Sequence, residues 1–296
     1  MSSEDVDIGA HITLCALDII CETSMGRSCN AQLQVYAVNE IIRTISQASS
    51  PYVRAIYEIN DVVQRRMRSP WLWPDWIFAL SSDGRAHANC LRILHGFTRQ
   101  RRAQLEACNF RPAEDGRRAF LDLLLEMAHQ GVLPEEEIQP EVDTFMFEGH
   151  DTTSAGLVWA LYLLGGDQET QAKAQREIDE VWESANADHD GAGLAADDLS
   201  RLRYVECCLK EALRIYPSVP LVARELGADA QIAGVTVPAG TLILINQWLV
   251  HRDEEHWPDA MRFRPERFLE QQTDRRRHAY AFIPFSAGSR NCIGQR

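Results

Sequence analysis

The sequence predicts a mainly helical protein: a bundle of helices with one long central helix and a small β-sheet late in the chain. Three observations carry that expectation. Apolar residues recur at helical spacing in segment after segment up to Tyr216. One segment, from Pro134 to Gly165-Gly166, is long enough to cross the middle of a domain. After Pro217 the period changes, and Gln231 to Ile245 reads as two strands around the turn Pro238-Ala239-Gly240.

The elements follow in order. Ile8 to Met25 places Ile12, Ala16, Ile19 and Ile20 on one side of a helix that Gly26 ends. A second helix is expected over Ala31 to Ser49. In Pro70-Trp71-Leu72-Trp73-Pro74-Asp75-Trp76-Ile77-Phe78 the prolines prevent a regular helix and the tryptophans offer amphipathic surface. That suits a lid, a membrane-surface contact or an aromatic loop packed on the core. Asp83 to Gln104 reads as a long charged helix, and Arg117 to Gly131 as a shorter one with Phe120, Leu121, Leu124, Leu125 and Ala128 inward. Pro134 followed by Glu135-Glu136-Glu137 is a start signal, since proline fits the first helical turn and acidic groups favour the positive end of the dipole. Ile138, Val142, Phe145, Met146, Trp159 and Leu163 are the apolar positions of that helix. Asp167 to Ser184 is another amphipathic helix, Ala185 to Asp198 a polar loop, and Tyr204 to Tyr216 a helix stopped by Pro217.

Composition sets outer bounds. With 296 residues, 45% of them hydrophobic, the chain can bury a large core. Its 43 acidic against 30 basic side chains give a formal charge of -13, which argues against nucleic acid as a partner because phosphate binding needs a positive face. Eight cysteines without a C-x-x-C pair point to reduced thiols. The acidic start, Met1 to Asp5, resembles no signal or transit peptide, and no run of about 18 apolar residues predicts a membrane-spanning helix.

Chemistry concentrates at the end, in Phe285-Ser286-Ala287-Gly288-Ser289-Arg290-Asn291-Cys292-Ile293-Gly294-Gln295-Arg296. The glycines let the backbone turn tightly and aim N–H groups at sulfur, Arg290 adds positive potential, and Phe285 shelters the sulfur from water. A thiolate holding haem iron is one reading; a buried structural cysteine in a glycine-rich turn is the other. Within the long helix, Phe147-Glu148-Gly149-His150-Asp151-Thr152-Thr153 puts polar groups where a buried stripe should continue. Gly149 leaves room for a flat cofactor or O2, Thr152 offers a hydroxyl and Asp151 a proton relay, whereas the same residues in isolation read as a solvated face. Glu211 and Arg214 stand at i and i+3 on one helix face, and Arg267 supplies a second guanidinium for a buried Arg–Glu–Arg set. His251 and His256 do not have the spacing of a zinc pair on a helix, and the adjacent Cys207 and Cys208 suit core packing.

Phe285-x-x-Gly288-x-Arg290-x-Cys292-x-Gly294, Glu211-x-x-Arg214, Pro265-Glu266-Arg267-Phe268 and Gly149-x-Asp151-Thr152-Thr153 together resemble the cytochrome P-450 family. The string Glu141 to Thr153 is similar to its family-4 branch, whose animal members include fatty-acid omega-hydroxylases and insect detoxification or hormone-metabolising enzymes. The resemblance implies a cytochrome P-450 fold, with residues 1–296 forming one partial catalytic domain and no separate second domain. It implies a haem-thiolate monooxygenase that inserts one oxygen atom of O2 into a C–H bond of an apolar substrate, fatty-acid or lipid-like, hormone or xenobiotic. Its cofactor would be haem (iron protoporphyrin IX), with electrons from NADPH through NADPH-cytochrome reductase. The full-length protein would sit on the cytoplasmic face of the endoplasmic reticulum membrane.

By the same resemblance Cys292 is the axial ligand, Arg290 and Arg224 meet haem propionates, and Thr152 with Asp151 delivers protons. Glu148 stands where family-4 enzymes form an ester to a haem methyl. Phe145, Val219, Pro220 and Leu221 border the substrate. Family members start with a membrane anchor and further helices and continue past the cysteine, so the chain is expected to be truncated at both ends. A rival expectation follows, a non-catalytic fragment with an incomplete haem pocket that acts as a pseudo-enzyme or interaction protein.

Overall fold

The computed structural model describes residues 7–26, 31–32, 51–107, 118–188, 193–269 and 277–295. Helices dominate, with two small antiparallel sheets among the described residues. The helix expected over Ala31 to Ser49 lies almost wholly outside them, as do Met1 to Asp5. The chain divides into two compact units, Met1–Asp151 and Thr152–Arg296, and the division falls inside the long helix.

In the first unit, α1 (Ile8–Met25) starts where the Asp7 carboxylate accepts the N–H groups of Gly9 and Ala10. It ends at Gly26, whose left-handed φ of 66° lets its N–H bond the Glu22 carbonyl. Its buried positions are Ala16, Leu17, Cys21, Ser24 and Met25, whereas Ile19 is 57% exposed. The expected apolar stripe is thus rotated: Leu17 and Cys21 join a core with Leu121, Leu125, Ile138, Val142 and Met146, and that core decides the face. With 18 residues and a mean hydropathy of 1.3, α1 is long and apolar enough to cross a membrane by composition, which corrects the expectation of no such stretch. In this fold its residues instead contribute to the core, and Asp18 accepts the backbone N–H groups of Ala31 and Gln32 at 2.7 and 2.9 Å.

Helix α2 (Pro51–Arg68) packs chiefly on α4 (Ser82–Ala107), with the rings of Tyr52 and Phe97 4.6 Å apart. Between them lie a 3-10 turn (Pro70–Leu72) and the short α3 (Asp75–Leu80). Arg66 fixes this connection by donating to the carbonyls of Leu72 and Trp73, and its guanidinium covers the buried Phe78 ring. Trp71, Trp73 and Trp76 are 67%, 59% and 70% exposed, so the tryptophans are not packed on the core. Helix α5 (Phe120–His129) buries Leu121, Leu124 and Leu125, and Asp122 takes a two-pronged bond from Arg101. Helix α6 (Glu135–Gly166) is the expected long helix, its first turn carrying Glu135, Glu136 and Glu137.

In the second unit, α7 (Gln168–Asp188) runs past the expected end at Ser184, and a 3-10 turn (Ala196–Arg201) occupies part of the expected loop because Asp198 accepts the Ala195 N–H. Helix α8 (Arg203–Ile215) is started from another helix: both oxygens of Glu177 accept the Tyr204 N–H, and one also accepts that of Val205. The strands differ from expectation. β2 (Ala230–Ile232) pairs with β3 (Val235–Val237) across a turn at Ala233 and Gly234, whose φ values are 49° and 81°. The Pro238–Gly240 turn then redirects the chain, so that β4 (Leu242–Asn246) pairs antiparallel with β1 (Leu221–Glu225), Arg224 opposite Ile243. Two four-residue helices follow, α9 (Gln247–Val250) and α10 (Glu266–Leu269). The core here is Cys207, Trp257, Ala260, Phe268 and Ala281 with Phe282 against it.

Candidate active site

The cysteine loop is a tied loop with an exposed thiol. The Cys292 N–H donates to the Phe285 carbonyl at 2.9 Å and the Ser286 N–H to that of Ile283 at 3.0 Å, while Ser286 and Gly288 take left-handed φ values of 62° and 87°. Arg224, on β1, reaches the loop and donates to the Arg290 carbonyl at 3.0 Å and the Ser286 hydroxyl at 3.4 Å. Arg290 itself is exposed and Phe285 half-buried. Cysteines 21, 90, 207 and 208 are buried and Cys15 is half-buried; Cys292 alone among the described cysteines is exposed. That removes the reading of Cys292 as a buried structural cysteine. Burial pushes the Cys208 and Cys90 thiols up to about 12 and about 11, so they stay protonated and inert.

Behind the loop the unit buries charge. Arg214 Nε and Nη2 donate to the two oxygens of Glu211 at 2.7 and 2.8 Å, and Arg267 Nε to Oε1 at 2.9 Å. All three side chains are fully buried, and burial works against the charge on Arg267 while Glu211 opposes that effect. Arg214 Nη1 also donates to the His251 carbonyl, and Arg267 Nη1 to that of Pro258. His251 and Trp257, neither of them singled out for a structural role by the sequence, are fully buried. Both missed residues act on the approach to the cysteine: His251 Nε2 accepts the Ile283 N–H at 2.9 Å, and Trp257 Nε1 donates to the Ala281 carbonyl at 3.0 Å.

Along α6 the predicted residues separate. Glu148 and Asp151 are exposed and Thr152 is half-buried. The Thr152 carbonyl accepts the Ser218 hydroxyl at 2.8 Å, a tie that no local signal in the sequence announces. At Gly149 a Cβ would lie 2.7 Å from the Ile20 side chain of α1, so the missing side chain makes room for a neighbouring helix. Phe145 packs against Phe120 in a tilted arrangement, ring centroids 4.2 Å apart, whereas Thr144, Phe147 and Glu148 line a cavity of about 290 Å³ with Tyr52, Ile56 and Leu94. Asn60, also on that wall, has a buried Oδ1 with no hydrogen-bond partner. Val219 and Leu221 are 38% and 46% exposed in the second unit.

Among the described residues no group of three or more His, Cys, Asp or Glu could hold a bare metal ion. Cys292 therefore offers a single donor, which fits an iron already held by a porphyrin ring and does not fit a site built from protein ligands alone. The fold and this donor define a helical protein suited to a thiolate-bound haem. The sequence model of the family described as cytochrome P-450 matches residues 1–296, and the chain belongs to that family. It is similar to cytochrome P-450 4V2 of Mus musculus (43% identity, 97% of this chain, 54% of that protein) and of Homo sapiens (43%, 97% and 54%). It is also similar to cytochrome P-450 4c3 of Drosophila melanogaster (41% identity, 100% of this chain, 56% of that protein). The chain spans about half the length of the curated relatives it matches.

Proposed function

We propose that the full-length protein is a haem-thiolate monooxygenase that holds iron protoporphyrin IX through Cys292 and inserts one oxygen atom of O2 into a C–H bond of an apolar substrate. The observation that carries this is the tied loop with its single exposed thiol, in a chain of this family. The bound haem supplies the oxygen activation; the chain supplies binding, orientation and proton handling. Arg290 and Arg224 bind the propionates, and Thr152 with Asp151 handles protons. Fatty-acid or lipid-like molecules, attacked near the chain end, are the substrate class, which the apolar walls formed by Tyr52, Ile56, Leu94 and Phe147 support. Phe147 joins the proposed substrate residues Phe145, Val219 and Leu221. Electrons come from NADPH through a cytochrome reductase.

The test is the ferrous carbon-monoxide spectrum of the full-length protein, together with NADPH- and O2-dependent product formation. The Cys292→Ser variant is expected to lose the thiolate-type band and turnover; keeping either overturns the reading. Glu148 is proposed as the ester partner of a haem methyl, so acidified solvent should leave haem on the chain, and complete release rules the link out. In this reading the full-length protein sits at the cytoplasmic face of the endoplasmic reticulum, which the exposed Trp71, Trp73 and Trp76 support as a membrane-surface contact. Quenching of tryptophan fluorescence by brominated lipids in vesicles carrying the full-length protein checks this contact, and unquenched emission rejects it.

A further inference from the structure

We propose that His251 is a positioning residue for the cysteine loop: it pins the Ala281–Ile283 segment to the buried Glu211–Arg214 network and thereby sets where Cys292 presents its sulfur. The inference rests on the haem-thiolate reading of that loop. His251 is fully buried and is held at both ends. Its carbonyl accepts Arg214 Nη1 at 2.8 Å, and its Nε2 accepts the Ile283 N–H at 2.9 Å. The next links are backbone bonds, from the Ser286 N–H to the Ile283 carbonyl and from the Cys292 N–H to the Phe285 carbonyl. Arg214 thus holds His251 by its backbone, and the imidazole carries that anchorage on to the stretch of backbone that enters the loop. The Trp257 bond to the Ala281 carbonyl is a second strut two residues earlier.

The chemistry of the ring agrees with this geometry. Burial, reinforced by the neighbouring Arg214 and Arg252 guanidinium groups, pulls the His251 pKa down to about 4, so the ring is neutral and Nε2 is a free acceptor at neutral pH. The ring proton then sits on Nδ1, and backbone groups of Arg214 and Leu213 oppose the downward shift. A phenylalanine would fill the same space and keep the ring contact with Phe282, 5.4 Å away, but would offer the Ile283 N–H no acceptor. What histidine adds is the acceptor at Nε2.

The test uses the full-length holoenzyme and its haem-free form with His251→Phe and His251→Gln. The carboxamide of glutamine reaches the Nε2 position, whereas phenylalanine keeps volume and loses the acceptor. Two quantities are read: the thiolate-type fraction of the ferrous carbon-monoxide spectrum, and hydrogen exchange across Ile283 to Cys292 in the haem-free protein. In H251F exchange is expected to rise roughly tenfold, the scale of one lost hydrogen bond, and the thiolate-type fraction to fall. H251Q is expected to restore both. If H251F fails to fold, His251→Asn replaces it, since its shorter side chain does not reach Ile283. Wild-type exchange in H251F, or loss in H251Q equal to that in H251F, overturns the proposal. A wild-type protein without any thiolate-type band sinks the monooxygenase reading instead, and the exchange measurement still decides the role of His251.

Discussion

Replacing Glu211 by glutamine isolates the charge on which the second unit is built. The carboxylate accepts from Arg214 Nε and Nη2, from Arg267 Nε and from the Arg264 N–H, at 2.7 to 3.1 Å. Glutamine keeps the shape but retains one acceptor oxygen and turns an amide N–H2 toward guanidinium donors, leaving two buried cations without an anion. Breaking one buried pair costs about 3–5 kcal/mol. Here one anion serves two cations, so the loss belongs at the upper end, against a total stability of about 5–15 kcal/mol. Urea unfolding reads it, with Trp257 as the local probe because it is fully buried and its ring centre lies 5.1 Å from the Arg214 guanidinium. With a slope of about 1–3 kcal/mol/M the midpoint should fall by roughly 2 M. A shift under about 0.5 M would refute the claim that the charge of Glu211, rather than its packing, holds the unit together.

Three further outcomes are expected. His251 titrates near 6.5 when unfolded and near 4 when folded, so the unfolded chain takes up the proton first as pH falls. Its contribution is complete above the unfolded value and is lost between the two, by about 3 kcal/mol; identical pH slopes for wild type and His251→Gln would remove this assignment. Gly149→Ala gains about 1 kcal/mol of helix propensity but drives a methyl into Ile20, so it should be neutral or destabilising alone and stabilising beside Ile20→Ala. Equal effects of Gly149→Ala in both backgrounds, measured by urea unfolding, would show that Ile20 is not the obstacle. Asn60→Leu should stabilise the protein by about 1 kcal/mol by removing a buried unpaired acceptor, while weakening hydroxylated ligands relative to hydrocarbons in substrate-induced spectral titrations. Unchanged ligand preference would take Asn60 out of substrate recognition.

What the sequence made legible is what local chemistry encodes. Pro134 with Glu135 to Glu137 started α6, and Gly26 ended α1, because caps are written within a few residues of where they act. Glu211, Arg214 and Arg267 met because helix spacing joined the first two and a second arginine motif was at hand. Most failures are at long range. Glu177 caps α8 from another helix, β4 pairs with β1 rather than β3, and Ser218 bonds Thr152 across 66 residues. Ala233 at positive φ carries no turn signal, since alanine rarely adopts that conformation, so the sequence points instead to Pro238–Gly240. The face of α1 is ambiguous in sequence because Ile19 and Leu17 are equally apolar, and only the packed core chooses between them. His251 stands beside the charged run Arg252 to Glu255, and only its bond to Ile283 and its burial reveal a structural ring.

The buried arginines raise a last question, whether an apolar trio would serve as well. Buried ion sets elsewhere are often replaced by hydrophobic side chains without loss. The segment from His251 to Arg267 argues against that here, because it contains little regular structure and its carbonyls need donors. Arg214 supplies them to His251 and Arg262 at 2.8 and 3.4 Å, and Arg267 to Pro258, Asp259 and Arg262 at 2.9, 3.2 and 3.3 Å. Methionines at 211, 214 and 267 would relieve the desolvation of charge yet orphan the carbonyls of His251, Pro258 and Arg262, at about 1–3 kcal/mol each, while that of Asp259 keeps the Arg262 N–H. The triple variant should therefore be at least as unstable in urea as Glu211→Gln. Recovery to wild-type stability would mean that water or a shift of the backbone can satisfy those carbonyls, and that the arginines serve Glu211 alone.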